Sequence, residues 1–113
     1  MGVRAVAVAA ALAALVAGPP AHAQRTTFEG LRQCARLALV QFKRHNPGFR
    51  RFVIDRESVI EDKYADMVGN QFVATVYRGR ATYEAASGPT KVRFVCLHGG
   101  ISKGPVFVYT LPE

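Results

Sequence analysis

The chain has 113 residues, with fifteen Lys and Arg against eight Asp and Glu and two cysteines. That length admits little more than one small domain whose core is thin for its surface. The positive balance favours anionic partners through a long-range attraction that salt weakens, without selecting one.

The first residues read MGVRAVAVAAALAALVAGPPAHAQ: Arg4, an apolar run from Ala5 to Ala17, Gly18-Pro19-Pro20, and the small-x-small triplet Ala21-His22-Ala23. This is the pattern of a secretory signal peptide covering residues 1–23 and cleaved after Ala23. The apolar run is too short for the roughly 20 residues that span a bilayer, and a Pro-Pro break follows it. No cysteine lies beside the cleavage site, so no lipid anchor is expected there. The mature chain is then a single domain over residues 24–113, periplasmic or secreted, with no transmembrane segment after cleavage. Only Arg4 is lost with the leader, which leaves fourteen basic and eight acidic residues, a balance of +6. Export, rather than charge, argues against nucleic acid as a partner.

Thr26-Thr27-Phe28-Glu29 has the hydroxyl-to-glutamate spacing of a capping box, so a helix is expected to begin here. Asn46-Pro47-Gly48 should stop it near Arg44 or His45. At 100° per residue Phe28, Leu31, Cys34, Ala35, Ala38, Leu39 and Phe42 form one stripe. Glu29, Arg32, Gln33, Arg36, Lys43 and Arg44 lie opposite, together with Leu37 and Val40.

Beyond Pro47 the pattern changes to short runs rich in Val, Ile, Phe, Tyr and Thr. Strands are expected at 51–55, more weakly at 58–62, and at 71–78, 81–85, 91–97 and 106–111. Gly69-Asn70, Ser87-Gly88-Pro89 and Gly99-Gly100 punctuate them. Gly79 reads either as a tight turn or as a bulge in one long strand. The connections are too short for helical crossovers, which excludes parallel α/β folds. The expected fold class is α+β: one N-terminal amphipathic helix packed on one face of a four- to six-stranded antiparallel meander sheet.

In VRFVCLHGG, Val92 to Gly100, alternation turns Cys96 to the same side as Val92 and Phe94. Cys34 lies on the buried stripe of the helix, so a helix-to-strand disulfide is expected in an oxidising compartment. Closing that loop adds about 4 kcal/mol in the chain-entropy model. A catalytic cysteine needs a free thiolate beside an oriented base. His98 shares the strand parity of Cys96 at some 7 Å along the strand, out of hydrogen-bond reach. A zinc set from Cys34, His45, Cys96 and His98 fails because Cys34 and His45 stand roughly 16 Å apart along the helix.

The carboxylates Asp55, Glu57, Glu61, Asp62 and Asp66 show no pairing suited to hydrolysis. The segment Glu61 to Asn70 does not fit a calcium loop and reads as a solvated loop. No cofactor and no metal site is implied.

Two features remain. Arg32, Arg36, Lys43, Arg44, Arg50 and Arg51 form the densest basic group, which reads as a solubilising face or as a docking face for an anionic envelope component or another protein. Ile101, Ser102 and Lys103 sit at the tip of a glycine-rich loop, which reads as a plain connection or as the contact loop of an inhibitor of an envelope enzyme, a protease or peptidoglycan hydrolase. The expected function is therefore a small exported, non-catalytic binding or accessory protein of the bacterial envelope. Intact-mass analysis of the exported protein should give a chain starting at Gln24 whose two cysteines take up alkylating reagent only after reduction; an uncleaved or acylated N-terminus, or two thiols labelled without reduction, overturns this reading.

Overall fold

Helix α1 spans Ala21–His45 in the computed structural model, which describes residues 21–113. The apolar run and the Pro-Pro pair of the expected leader lie outside the described residues. The helix therefore begins before the capping-box spacing that was expected to start it. No breaker separates Ala21 from Thr26, so a hydroxyl-to-glutamate spacing inside a continuous helix does not act as a boundary. Thr27 instead donates its hydroxyl to a Glu61 carboxylate oxygen at 2.6 Å, tying the helix to the sheet. The other end falls where expected: Asn46 donates its amide to Phe42 O at 2.8 Å, and its side chain accepts from Gly48 N at 3.0 Å and donates to Tyr83 Oη at 3.1 Å.

Five strands follow: β1 (Phe49–Ile54), β2 (Ile60–Val68), β3 (Gln71–Ala85), β4 (Gly88–His98) and β5 (Pro105–Pro112). All pair antiparallel in one sheet. β1 and β2 run one after the other along the same edge of β3, β1 against Ala81–Ala85 and β2 against Gln71–Arg78. The other edge of β3 pairs with β4, and β4 with β5. The sheet is thus a meander whose first strand is broken by a short 3-10 turn at Arg56–Ser58.

That break explains Gly79. β3 runs through it without a shift in its pairing to β4, Gly79 facing Phe94, so the two runs expected on either side of it are one strand. A Cβ at this position would lie 2.9 Å from Ser58 Oγ and 3.2 Å from Val59 Cα, so glycine makes room for the break. Of the segment expected as a solvated loop, Glu61 to Asn70, the part up to Val68 is strand, so the weak strand expected at 58–62 is the start of the longer β2, and only Gly69-Asn70 is a turn. β2 is exposed throughout, which erases the alternation that marks a half-buried strand. It contains a bulge between Lys63 and Asp66, with Ala65 in the left-handed region at φ 54°.

The helix lies across one face of the sheet. Its buried line is Gly30, Leu31, Cys34 and Ala38, whereas Phe28 and Leu39, expected in the core, are each 42% exposed. The helix is rotated about its axis so that small side chains face the sheet and the backbones approach closely. Cys34 and Cys96 are joined by a disulfide with Cα atoms 6.2 Å apart, as expected. Phe42, Phe49, Phe52 and Tyr83 pack ring to ring at one end of the interface, with centroids 4.9 to 5.6 Å apart, and Phe94 meets Phe52 edge-on at 5.9 Å.

A Cβ on Gly30 would lie 2.2 Å from Tyr77 Oη and 2.7 Å from its Cζ, and Tyr77 is buried. Gly30→Ala should therefore lower the free energy of unfolding by roughly 1 to 3 kcal/mol, the usual penalty of overpacking, although alanine is the better helix former. Urea titration reads the loss, and adding Tyr77→Phe should recover part of it; a more stable Gly30→Ala protein would disprove the close contact.

Candidate functional site

With the buried line facing the sheet, the opposite side of α1 presents Arg32, Arg36 and Lys43 to solvent, with Arg44 beside them and the exposed Leu39 and Val40 among them. Arg32 is engaged by Glu29 at 3.5 Å, one turn earlier. Arg36, Lys43 and Arg44 make no ion pair with any described carboxylate. Lys43 and Arg44 occupy the last turn, where the helix dipole favours cations.

The six basic residues singled out from the sequence do not form one patch. Arg50, exposed at the start of β1, borders a shallow groove of about 440 Å³ with Ala86 and Pro89. Arg51 points to the helix-free face of the sheet, where Glu84 neutralises it.

A second constellation lies at the opposite end of the sheet. The Gly69-Asn70 turn between β2 and β3 and the Gly99–Gly104 loop between β4 and β5 enclose a groove of about 450 Å³ lined by Met67, Asn70, Phe72, Lys103 and Pro105 among others. Lys103 Nζ stands 5.6 Å above the Phe72 ring. Met67, Phe72 and Ile101 are exposed there, at 53%, 41% and 41%.

The loop is held rather than loose. Gly99 N donates to Gly104 O at 2.9 Å and Gly104 N to Gly100 O at 2.7 Å, with Gly100 and Gly104 at φ 103° and 84°. Gly100 N also donates to His98 Nδ1 at 3.0 Å, so the proton sits on Nε2, which donates to Gln33 Oε1 at 2.5 Å. The Gln33 amide nitrogen closes the chain by donating to Ile101 O at 3.2 Å.

His98 is thus a clasp between helix and loop, 1% exposed, with Tyr77 edge-on at 5.7 Å. Burial pushes the imidazole below its usual range, and the Glu61 carboxylate pulls partly the other way. The same burial, with Glu61, pushes the Tyr77 hydroxyl up to about 12. Gln41 acts likewise further along the helix: it donates to Val108 O at 3.2 Å and accepts from Val108 N at 3.0 Å, completing the outer edge of β5.

The polar-side placement of Gln33 expected from the sequence is corrected by this network, whereas His98 is, as expected, the end of a strand, the last residue of β4. The one sequence signal of the network is that Gln33 and Gln41 lie eight residues apart, on one side of two helical turns. The disulfide leaves neither cysteine free as nucleophile or ligand. Asp55, Asp62 and Glu84 are each engaged by an arginine, Arg80, Arg78 and Arg51 respectively. Among the described residues no helix is long and apolar enough to cross a membrane.

The clasp sets a pH dependence. Neutral His98 is favoured in the folded chain, while the unfolded imidazole takes up a proton near its ordinary 6.5. Stability is therefore complete above about pH 6.5 and falls as the pH drops below it toward the lowered folded value. Thermal melts between pH 7.5 and 5 should show this fall, with a lower protection factor at the Gly100 amide, and His98→Gln should flatten it; a wild-type stability that rises on acidification would contradict the clasp. No known family, curated protein or solved structure matches the chain closely enough to count as similar, so function has to be read from these surfaces.

Proposed function

We propose that the chain is a small exported, non-catalytic accessory protein of the bacterial envelope that docks on an anionic partner through the outer face of α1. The observation that carries this reading is the partition of charge. Arg51, Arg78 and Arg80 on the sheet are each engaged by a carboxylate, whereas Arg36, Lys43 and Arg44 on the helix are not. Leu39 and Val40 add apolar contact area between these cations, at 42% and 55% exposure. Periplasmic or secreted location, with cleavage after Ala23, follows from the leader pattern, and the disulfide fits an oxidising compartment.

A second reading has its own observation: the held Gly99–Gly104 loop beside the Gly69-Asn70 turn, with Met67, Phe72 and Ile101 exposed. A loop already ordered loses little freedom on binding, which suits an inhibitor of an envelope enzyme. Ile101, Ser102 and Lys103 are then its contact residues.

One pair of variants separates the two. Replacing Arg36, Lys43 and Arg44 together by Gln should weaken binding to vesicles rich in anionic lipid about 100-fold, at roughly 1 kcal/mol per cation, with the fold intact by circular dichroism. Replacing Gly100–Gly104 should leave that binding unchanged and remove any enzyme recovered from an envelope extract. Vesicle binding indifferent to the triple substitution and to salt rules out the helix-face reading.

A further inference from the structure

The exposed positions of α1 carry only two kinds of side chain. Arg32, Arg36, Lys43, Arg44 and His45 are basic, and Phe28, Leu39 and Val40 are apolar. Among the described helix side chains no acid, amide or hydroxyl is exposed. Thr27, Glu29, Gln33 and Gln41 are half-buried and engaged by Glu61, Arg32, His98 and Val108 respectively. A helix face that only meets water mixes both signs of charge with neutral polar groups, and this one does not.

The apolar side chains are placed among the cations. Val40 and Leu39 are adjacent, at 55% and 42% exposure. Arg36 precedes Val40 by about one turn, and Lys43 and Arg44 follow it by about one turn, roughly 6 Å along the axis on either side. Phe28, eleven residues before Leu39 on the same flank, repeats the combination: the Arg56 guanidinium lies 5.1 Å from its ring centre.

That pairing of charge with apolar surface selects the partner. An acidic polysaccharide offers charge but no apolar phase, which leaves Val40 and Leu39 in water. A second copy of the chain brings the same open cations and is repelled. An acidic protein needs a pocket cut to this convex ridge between its carboxylates. A bilayer with anionic headgroups supplies both parts without a preformed pocket, because phosphates meet the cations and the acyl boundary lies some 5–10 Å deeper.

We propose that the anionic partner of α1 is a lipid bilayer, and that the helix lies along its surface with Val40 and Leu39 at headgroup level and Arg36, Lys43 and Arg44 on lipid phosphates. The assignment rests on the helix-face reading above and narrows it to one partner. The contact is shallow and reversible, since the buried line of α1 faces the sheet and only a short apolar pair faces out. The sheet stands on the side of α1 away from the lipid.

The chain contains no tryptophan, so Val40→Trp gives the mature protein a single reporter. On phosphatidylglycerol–phosphatidylcholine vesicles its emission should shift to the blue and be quenched by lipid brominated on the acyl chain, whereas Tyr109→Trp on the helix-free face should stay unquenched. Heparin, a soluble acidic polysaccharide, should bind without that shift. Leu39→Ser combined with Val40→Ser should weaken vesicle binding about tenfold and leave heparin binding unchanged, with the fold checked by circular dichroism. Val40→Ser alone serves if the double variant unfolds, and should weaken vesicle binding about threefold. A Val40→Trp emission that stays water-like on bound vesicles, or serine variants with full vesicle affinity, overturns the lipid assignment and leaves docking through the helix cations standing. A wild-type chain that binds neither vesicles nor heparin overturns both.

Discussion

The closeness of α1 to the sheet governs the rest of the architecture. Gly30, Cys34 and Ala38 present a line of small side chains to the sheet, and that line permits Tyr77 to lie under Gly30 and Cys34 to reach Cys96 with Cα atoms 6.2 Å apart. A larger residue at any of these positions would lift the helix. The hydrophobic contact area of a chain this small is modest, so a covalent link closing a loop between residues 34 and 96 contributes a large share of net stability. The bond also fixes the position of the helix along β4, which sets where Gln33 and Gln41 fall.

Close approach carries a polar requirement. β5 is an edge strand partly covered by the helix, and an edge backbone covered without partners loses its hydrogen bonds to water. Gln41 supplies both missing bonds at Val108, and Gln33 and His98 together hold the first residues of the loop that precedes β5. Among the described residues no buried side-chain nitrogen or oxygen lacks a partner. The glycine loop is consequently part of the folded body, and its exposed Ile101 is displayed from a fixed base.

The parts of this fold legible in the sequence are those written in composition and period. The stop at Asn46-Pro47-Gly48, the antiparallel meander, the class and the disulfide partners follow from breaker residues, alternation and cysteine parity. What was not legible has a common cause, since an apolar period records only burial of apolar groups. The helix turns inward a glycine and two glutamines chosen for space and hydrogen bonding, so a wheel weighted by hydrophobicity points some tens of degrees away and puts Leu39 in the core and Gln33 in water. β2 lies on an edge with both faces in solvent and loses its alternation altogether. Of the candidate sites, the basic helix ridge was readable because surface charge is visible in sequence. Its division into paired and unpaired arginines was not, because Arg51 meets Glu84 across thirty-three positions.

That division gives the two outer faces opposite characters. On the sheet, Arg51, Arg78 and Arg80 are each met by a carboxylate from a neighbouring element, Arg93 turns to a backbone carbonyl, and Phe107, Tyr109 and Leu111 remain exposed among them. On the helix, neighbours lie three or four residues away along one element, and after Glu29 no acidic residue occurs before Asp55. Arg36, Lys43 and Arg44 therefore have no carboxylate within reach on their own helix. One end of the molecule displays a held loop, one face is apolar with most of its arginines paired, and the other carries Arg36, Lys43 and Arg44 without a described carboxylate partner. Neutral apolar contact and charge attraction respond in opposite ways to salt, so ionic strength separates what each face can bind.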